Sequence, residues 1–171
     1  MILVTAFEPF GGKTWNASLE IMNGLSGVDK IVLPVSIQGC HEAINALDIL
    51  KYDTIVMLGE ADRPHLSLEQ FAYNEIDMRI PDNTGIQLKN QTIDCGQTQK
   101  TPFDLNKWVK PGIQISTNPG RYLCNYAYYL ALKKHSSVLF IHVSSHEQYI
   151  AQQGKQVEEI IHEIKTISIT R

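Results

Sequence analysis

The chain predicts an α/β fold: a single three-layer α/β/α domain over residues 1–171, built around a twisted, mostly parallel sheet. Short β-branched apolar runs alternate with segments of helical spacing, the pattern of a parallel sheet covered on both faces. A length of 171 residues suits one domain with a core of its own. Hydrophobic residues make up 43% and charged residues 19%, enough apolar surface to fill that core without the charge density of a disordered chain.

Each element follows from its pattern. Residues 2–6 (Ile-Leu-Val-Thr-Ala) form a buried first strand. After a Pro/Gly loop, residues 17–25 take helical spacing, with Ala17, Ile21 and Leu25 on one face. Residues 30–35 make a second strand, and 40–50 a second helix with Ala43, Ile44, Leu47 and Leu50 on one side. Residues 53–58 make a third strand, stopped by Gly59, and 66–74 alternate like a partly exposed strand. Turn signals fill 82–112, which predicts a loop or hairpin excursion. A short strand at 113–116, a helix at 122–133 and a strand at 138–143 follow. An amphipathic helix at 148–164 comes last, despite the helix penalty of Gly154.

Composition excludes several functions. The net charge of −3, with no basic run, argues against nucleic acid as a partner. The apolar runs are far shorter than a membrane span, and the first residues lack the basic leader of a secretory signal, so no membrane partner is expected. The cysteines are Cys40, Cys95 and Cys124, without a CxxC, which suggests neither a zinc knuckle nor a disulfide scaffold. A reducing, cytoplasmic location is expected.

In open α/β sheets, ligands bind beyond the carboxyl ends of the strands. The segments leaving those ends are 7–16, 59–65, 118–124 and 142 onward, and they contain Cys124 and His142. Cys124 falls in the first turn of a helix, where unpaired N–H groups and the macrodipole favour a thiolate. With His142 ending an apolar strand, these are the parts of a nucleophile–base pair. Taken singly, each has a blander reading, as a buried thiol or a hydrogen-bonded core histidine. A third group must orient the imidazole. Glu69, Glu75, Asp77 and Asp82 are all candidates, and spacing does not choose among them. Arg79 suits stabilisation of developing negative charge, or an ion pair with Asp77 or Asp82.

Two further motifs have competing readings. Phe7-Glu8-Pro9-Phe10-Gly11-Gly12-Lys13-Thr14 ends like a phosphate-binding loop, but the required earlier glycine is Phe7 and Pro9 removes a donor. Two aromatics around a proline better suit the wall of a small apolar pocket. The stretch from His142 to Glu147 offers two histidines and a carboxylate, yet follows a strand rather than lying on a helix, so no metal site is expected.

Four blocks in order resemble pyroglutamyl peptidase type I. They are Phe7-Glu8-Pro9-Phe10-Gly11-Gly12 with Asn16; Glu69-x-x-Ala72-x-Asn74; Asn74-x-x-Asp77-x-Arg79-Ile80-Pro81-Asp82-Asn83-x-Gly85; and Tyr122-Leu123-Cys124-Asn125-Tyr126 with Phe140-Ile141-His142-Val143. The resemblance implies an α/β/α cysteine peptidase, without cofactor or metal, that removes N-terminal pyroglutamate from peptides. It implies Cys124 as nucleophile, His142 as general base and acid, Glu69 as the carboxylate orienting His142, and Arg79 beside the oxyanion. Phe7, Phe10, Asn16 and Glu60 are implied as ring-binding residues, with Tyr122 and Leu123 as wall. A homo-oligomer, dimer or tetramer, is also implied.

The chain departs from the family pattern at the pocket. Glu60 replaces a glutamine, Asp62 and Arg63 replace glycines, Asn118-Pro119-Gly120 replaces an Ala-Gly approach to the cysteine, and Ser144 replaces a proline. A carboxylate accepts a hydrogen bond but cannot donate as an amide does. These changes define a rival expectation, a weak or inactive relative that binds a lactam or a peptide N-terminus. Nucleotide binding through Gly12-Lys13-Thr14 is the more distant one.

Overall fold

The computed structural model describes residues 1–169. Its elements are β1 (Ile2–Phe7), α1 (Ala17–Gly24), β2 (Asp29–Leu33), α2 (Ile37–Asn45), β3 (Thr54–Ala61), β4 (Leu66–Glu69), β5 (Phe71–Ala72), β6 (Gln99–Lys100), β7 (Ile113–Ser116), α3 (Leu123–Lys134), β8 (Val138–Ser144) and α4 (Ile150–Ile169). Six strands form one sheet in the order β2-β1-β3-β8-β4-β7, while β5 and β6 make a separate ribbon. Neighbours in the large sheet are parallel except β4 and β8. The exception has a covalent cause: residues 62–65 join β3 to β4, too few for the crossover that a parallel return demands.

Apolar side chains on the two faces form two cores. One packs Ile21 and Met22 of α1 and Val157, Ile160, Ile161 and Ile164 of α4 against Val4, Val56, Leu139 and Ile141. The other packs Cys40 and Ile44 of α2 and Leu123, Ala127, Tyr128 and Ala131 of α3 against Leu3, Ile55, Met57 and Phe140. Adjacent strand residues thus serve opposite layers, the three-layer α/β arrangement that the alternation predicts.

Several boundaries differ from expectation, each for a local reason. Gly59 does not stop β3, which runs on beside β8 in the pairs Gly59↔His142, Glu60↔Val143 and Ala61↔Ser144. The second helix starts earlier, where the Ser36 side chain accepts from Gly39 N–H, and ends at Asn45. Asp48 then caps a separate 3₁₀ turn, Ile49–Lys51, leaving Leu50 94% exposed instead of on an apolar face. The strand from Leu66 is not partly exposed: all four residues of β4 are buried, because β7 and β8 flank it. The excursion over 82–112 contributes β6 and a 3₁₀ turn, Leu105–Trp108, that buries Leu105 and Trp108.

Candidate active site

The nucleophile candidate sits where a helix start meets a bare point of the sheet. Cys124 is the second residue of α3, whose N-cap Tyr122 makes no side-chain capping bond. The first i→i−4 bond is donated by Tyr126 to Tyr122 O, so the N–H groups of Leu123, Cys124 and Asn125 precede the helical ladder. A Cβ on Gly59 would lie 2.8 Å from Cys124 Sγ and 2.8 Å from Phe140 Cζ. Glycine here makes room for the thiol, directly against the β3 residue paired with His142. The helix-start N–H groups that favour a thiolate are opposed by desolvation. Desolvation pushes the Cys124 thiol up, and the carboxylates of Glu69 and Glu60 add to the rise. Coupling to a base would offset this rise.

His142 supplies an imidazole held from one side. Its Nδ1 lies 2.8 Å from Glu69 Oε1, and Phe140 backs the ring at 4.8 Å between centroids. Nδ1–H donating to the carboxylate leaves Nε2 as the basic nitrogen. Glu69 is fully buried; desolvation raises its pKa, but the hydrogen bond and charge of His142, with Ser116 and Arg63, outweigh this and hold it below the usual glutamate value. Of the four carboxylates left open by spacing, Glu69 is the one that reaches the imidazole. Glu75 pairs with Arg121 at 2.7 Å, Asp77 is 4.0 Å from Lys89, and Asp82 accepts from the N–H groups of Ile37, Thr84 and Ile86.

A cleft of about 770 Å³ opens over this pair at the carboxyl ends of β3 and β8. Phe10, Glu60, Arg79, Tyr122, Cys124 and His142 all line it. Phe10 and Tyr122 form one wall, with centroids 5.9 Å apart. Arg79 is exposed at the mouth and forms no ion pair among the described residues, neither with Asp77 nor with Asp82. Three expected pocket residues are placed elsewhere. Phe7, 2% exposed, belongs to the core under α2 and α3, and Leu123 packs in the same core. Asn16 is the N-cap of α1, accepting from Ser18 N–H at 2.9 Å and donating to Glu8 O at 3.3 Å. A second cleft of about 590 Å³ lies at the opposite end of the sheet, around Thr54, Trp108 and Ser137, away from Cys124 and His142.

Sequence reasoning missed three contributors. Arg63 donates through Nη1 to Glu69 Oε1 at 3.0 Å and through Nη2 to Asn118 O at 2.8 Å, joining the carboxylate to the loop before the nucleophile. The buried Asn125 side chain binds Tyr73 N–H, Tyr73 O and Glu75 O, tying α3 to the segment after β5. Lys13 meets Glu60 Oε1 at 2.6 Å, and Ala17 N–H donates to Glu60 Oε2 at 2.8 Å. The carboxylate of Glu60 was the one signal in the sequence that a cation such as Lys13 lies beside it.

The comparisons converge on one family. The family model described as pyroglutamyl peptidase matches residues 1–167. Pyrrolidone-carboxylate peptidase of Pyrococcus furiosus is 35% identical over 172 aligned positions, covering 89% of this chain and 82% of that protein. The crystal structure of pyrrolidone carboxyl peptidase from Thermus thermophilus superposes with a TM-score of 0.82 at 32% identity, covering 92% of this chain and 97% of the other. Pyrrolidone carboxyl peptidase from Thermococcus litoralis gives 0.86 at 25% identity, covering 99% and 96%. A buried carboxylate–imidazole pair beside a helix-start thiol thus sits in a fold shared throughout with these peptidases, and the chain belongs to the pyroglutamyl peptidase family.

Proposed function

We propose that this peptidase cleaves the amide bond after an N-terminal pyroglutamyl residue, with Cys124, His142 and Glu69 acting as a triad in one domain. The observation that carries the reading is the 2.8 Å contact between His142 Nδ1 and the buried Glu69, on the β8 residue paired with Gly59 under the thiol. As Cys124 Sγ attacks the carbonyl carbon, its proton passes to His142 Nε2 and the carbonyl becomes an oxyanion. The free N–H groups at the start of α3 and the guanidinium of Arg79 stabilise that charge. Collapse breaks the C–N bond, and His142 returns the proton to the leaving amine. Water then gives a proton to His142 and attacks the thioester. Pyroglutamic acid departs and the thiol is regenerated. Glu69 stays ionised throughout and steadies the imidazolium.

The weak-binder reading draws on one observation, that Lys13 and Ala17 N–H already engage Glu60. The same contact with Lys13 takes away the cation that nucleotide binding requires. Release of a fluorescent amine from a pyroglutamyl amide decides the matter. Wild type is expected to turn over and Cys124→Ala is not; folded wild type that is inert across several leaving groups would overturn the reading. A cytoplasmic location is supported by three unpaired cysteines, Cys95 among them exposed. Among the described residues no helix is long and apolar enough to cross a membrane. A dimer or tetramer is expected by light scattering.

A further inference from the structure

We infer that Arg63 is a positioning residue for the proposed cleavage: its guanidinium fastens the Glu69–His142 pair to the loop before Cys124, and its charge extends activity to lower pH. The inference rests on the pyroglutamyl reading and adds to that site a residue at which this chain departs from the family pattern. Arg63 lies in the connection from β3 to β4, with its side chain 28% exposed. Nη1 donates to Glu69 Oε1 at 3.0 Å and to Ser116 Oγ at 3.3 Å, while Nη2 donates to Asn118 O at 2.8 Å. One planar group thus spans the carboxylate, the end of β7 and the approach to the nucleophile.

That approach is held by side chains. Pro119 offers no N–H to bind it internally. Arg121, anchored on Glu75 at 2.7 Å, donates to Asn118 Oδ1 and Gly120 O, and the Tyr73 hydroxyl donates to Thr117 O. Two arginines therefore grip Asn118, one at its carbonyl and one at its side-chain oxygen, each backed by a carboxylate. Only the carboxylate behind Arg63 also holds the imidazole.

That shared oxygen gives Arg63 an electrostatic role. Nη1 and His142 Nδ1 bind Glu69 Oε1 at 3.0 and 2.8 Å, so they lie at most about 6 Å apart. A fixed cation at that distance opposes the imidazolium and draws on the carboxylate charge that favours it. The base then stays able to accept the thiol proton further into acid. The other charged groups of the cleft have different neighbours. Glu60 meets Lys13, Asp62 meets His146, Arg121 meets Glu75, Asp77 faces Lys89, and Arg79 stands at the mouth. Cys124 and Tyr128 on α3 feel the Glu69 charge, and burial pushes both up.

The test is kcat/KM against pH for release of a fluorescent amine from a pyroglutamyl amide, with thermal melting as the check on folding. Arg63→Gln removes both charge and fork; it should move the acid limb upward by about 0.5 pH unit or more, besides lowering kcat. Arg63→Gly, which restores the residue of the family pattern, is a second neutral variant and should move it likewise. Arg63→Lys keeps the charge without the fork, so its acid limb should stay within about 0.2 unit of wild type while kcat recovers only in part. Arg121→Gln loosens the same loop from its other anchor and should leave the acid limb in place. An active wild type whose acid limb is unmoved in both neutral variants, or moves equally in Arg121→Gln, would overturn the role of Arg63 alone. A folded wild type without turnover would overturn the peptidase reading and this inference with it.

Discussion

Two neighbouring parts of the cleft are built on different principles. At the reactive end, Gly59, Cys124, His142 and Glu69 are held by sheet register, close packing and a buried hydrogen bond. One residue further along β3, Glu60 is held by an ion pair and one helix N–H, with Lys13 partly in solvent. Register leaves little room for substitution, since a shift of one residue turns His142 to the other face. A charge can be replaced if its partner changes with it. The contrast teaches that the groups around the thiol are tied to the backbone, while the charge of Glu60 is balanced by exchangeable side chains.

That contrast can be broken by substitution. The largest losses belong to the reactive end: Cys124→Ala or His142→Ala should lower kcat by roughly 10³-fold or more with normal melting behaviour. Glu69→Gln leaves the shape but not the charge that holds the Nδ1–H tautomer, and kcat should fall by roughly 10²–10⁴-fold. Gly59→Ala adds a methyl 2.8 Å from the sulfur and from Phe140, itself packed on Tyr128, so the thiol must move. A loss of about 10–100-fold in kcat is expected, with KM little changed. A Gly59→Ala enzyme as fast as wild type would mean that the backbone does not set the thiol position.

Smaller effects sharpen the comparison. Arg63→Gln removes one of the two donors to Glu69 Oε1 and the link to Asn118 O. It should reduce kcat by about 3–10-fold, with partial rescue by Arg63→Lys. Acid stability separates the regions further. Asp94, held to about pKa 2 by Lys133, the Tyr129 hydroxyl and Gly96 N–H, and the depressed Glu69 and Asp82 are ionised in the folded chain. A folded-state pKa below the unfolded value contributes stability above the unfolded pKa, and that stability is lost as pH falls through the folded one. The urea midpoint should therefore hold near neutrality and drop as pH falls from about 4 toward 2. Asp94→Asn should flatten the lowest part of that fall; a midpoint independent of pH would contradict the assignment.

Much of the fold was legible because local pattern and tertiary role agree. β1 and β8 are continuous apolar runs, as strands buried on both faces must be, whereas the capping role of Ser36 went unread and α2 was expected three residues late. β4 misled because Ser67 and Glu69 alternate with Leu66 and Leu68 like a solvent face. They are buried beside His142 instead, Ser67 being paired with it across the strands. The site was legible where a residue acts through backbone position, as Cys124 and His142 do. Glu69 was singled out by family resemblance, since spacing left four carboxylates. The resemblance implied Phe7 and Asn16 as ring-binding residues and Leu123 as wall, but β1, the α1 cap and α3 turn them inward. Lys13 and Arg63 were missed as partners because their contacts depend on chain segments that only the fold brings together.

The central claim is that a pyroglutamyl ring bound in the cleft presents the carbonyl attached to it to the Cys124 thiol. The most direct test is covalent labelling with pyroglutamyl chloromethyl ketone, read as the modified residue by mass spectrometry. One label on Cys124, lost in His142→Ala and suppressed by excess pyroglutamyl amide, is the expected result. Labelling of exposed Cys95 at a rate equal to Cys124, or no labelling of a folded chain, would contradict it.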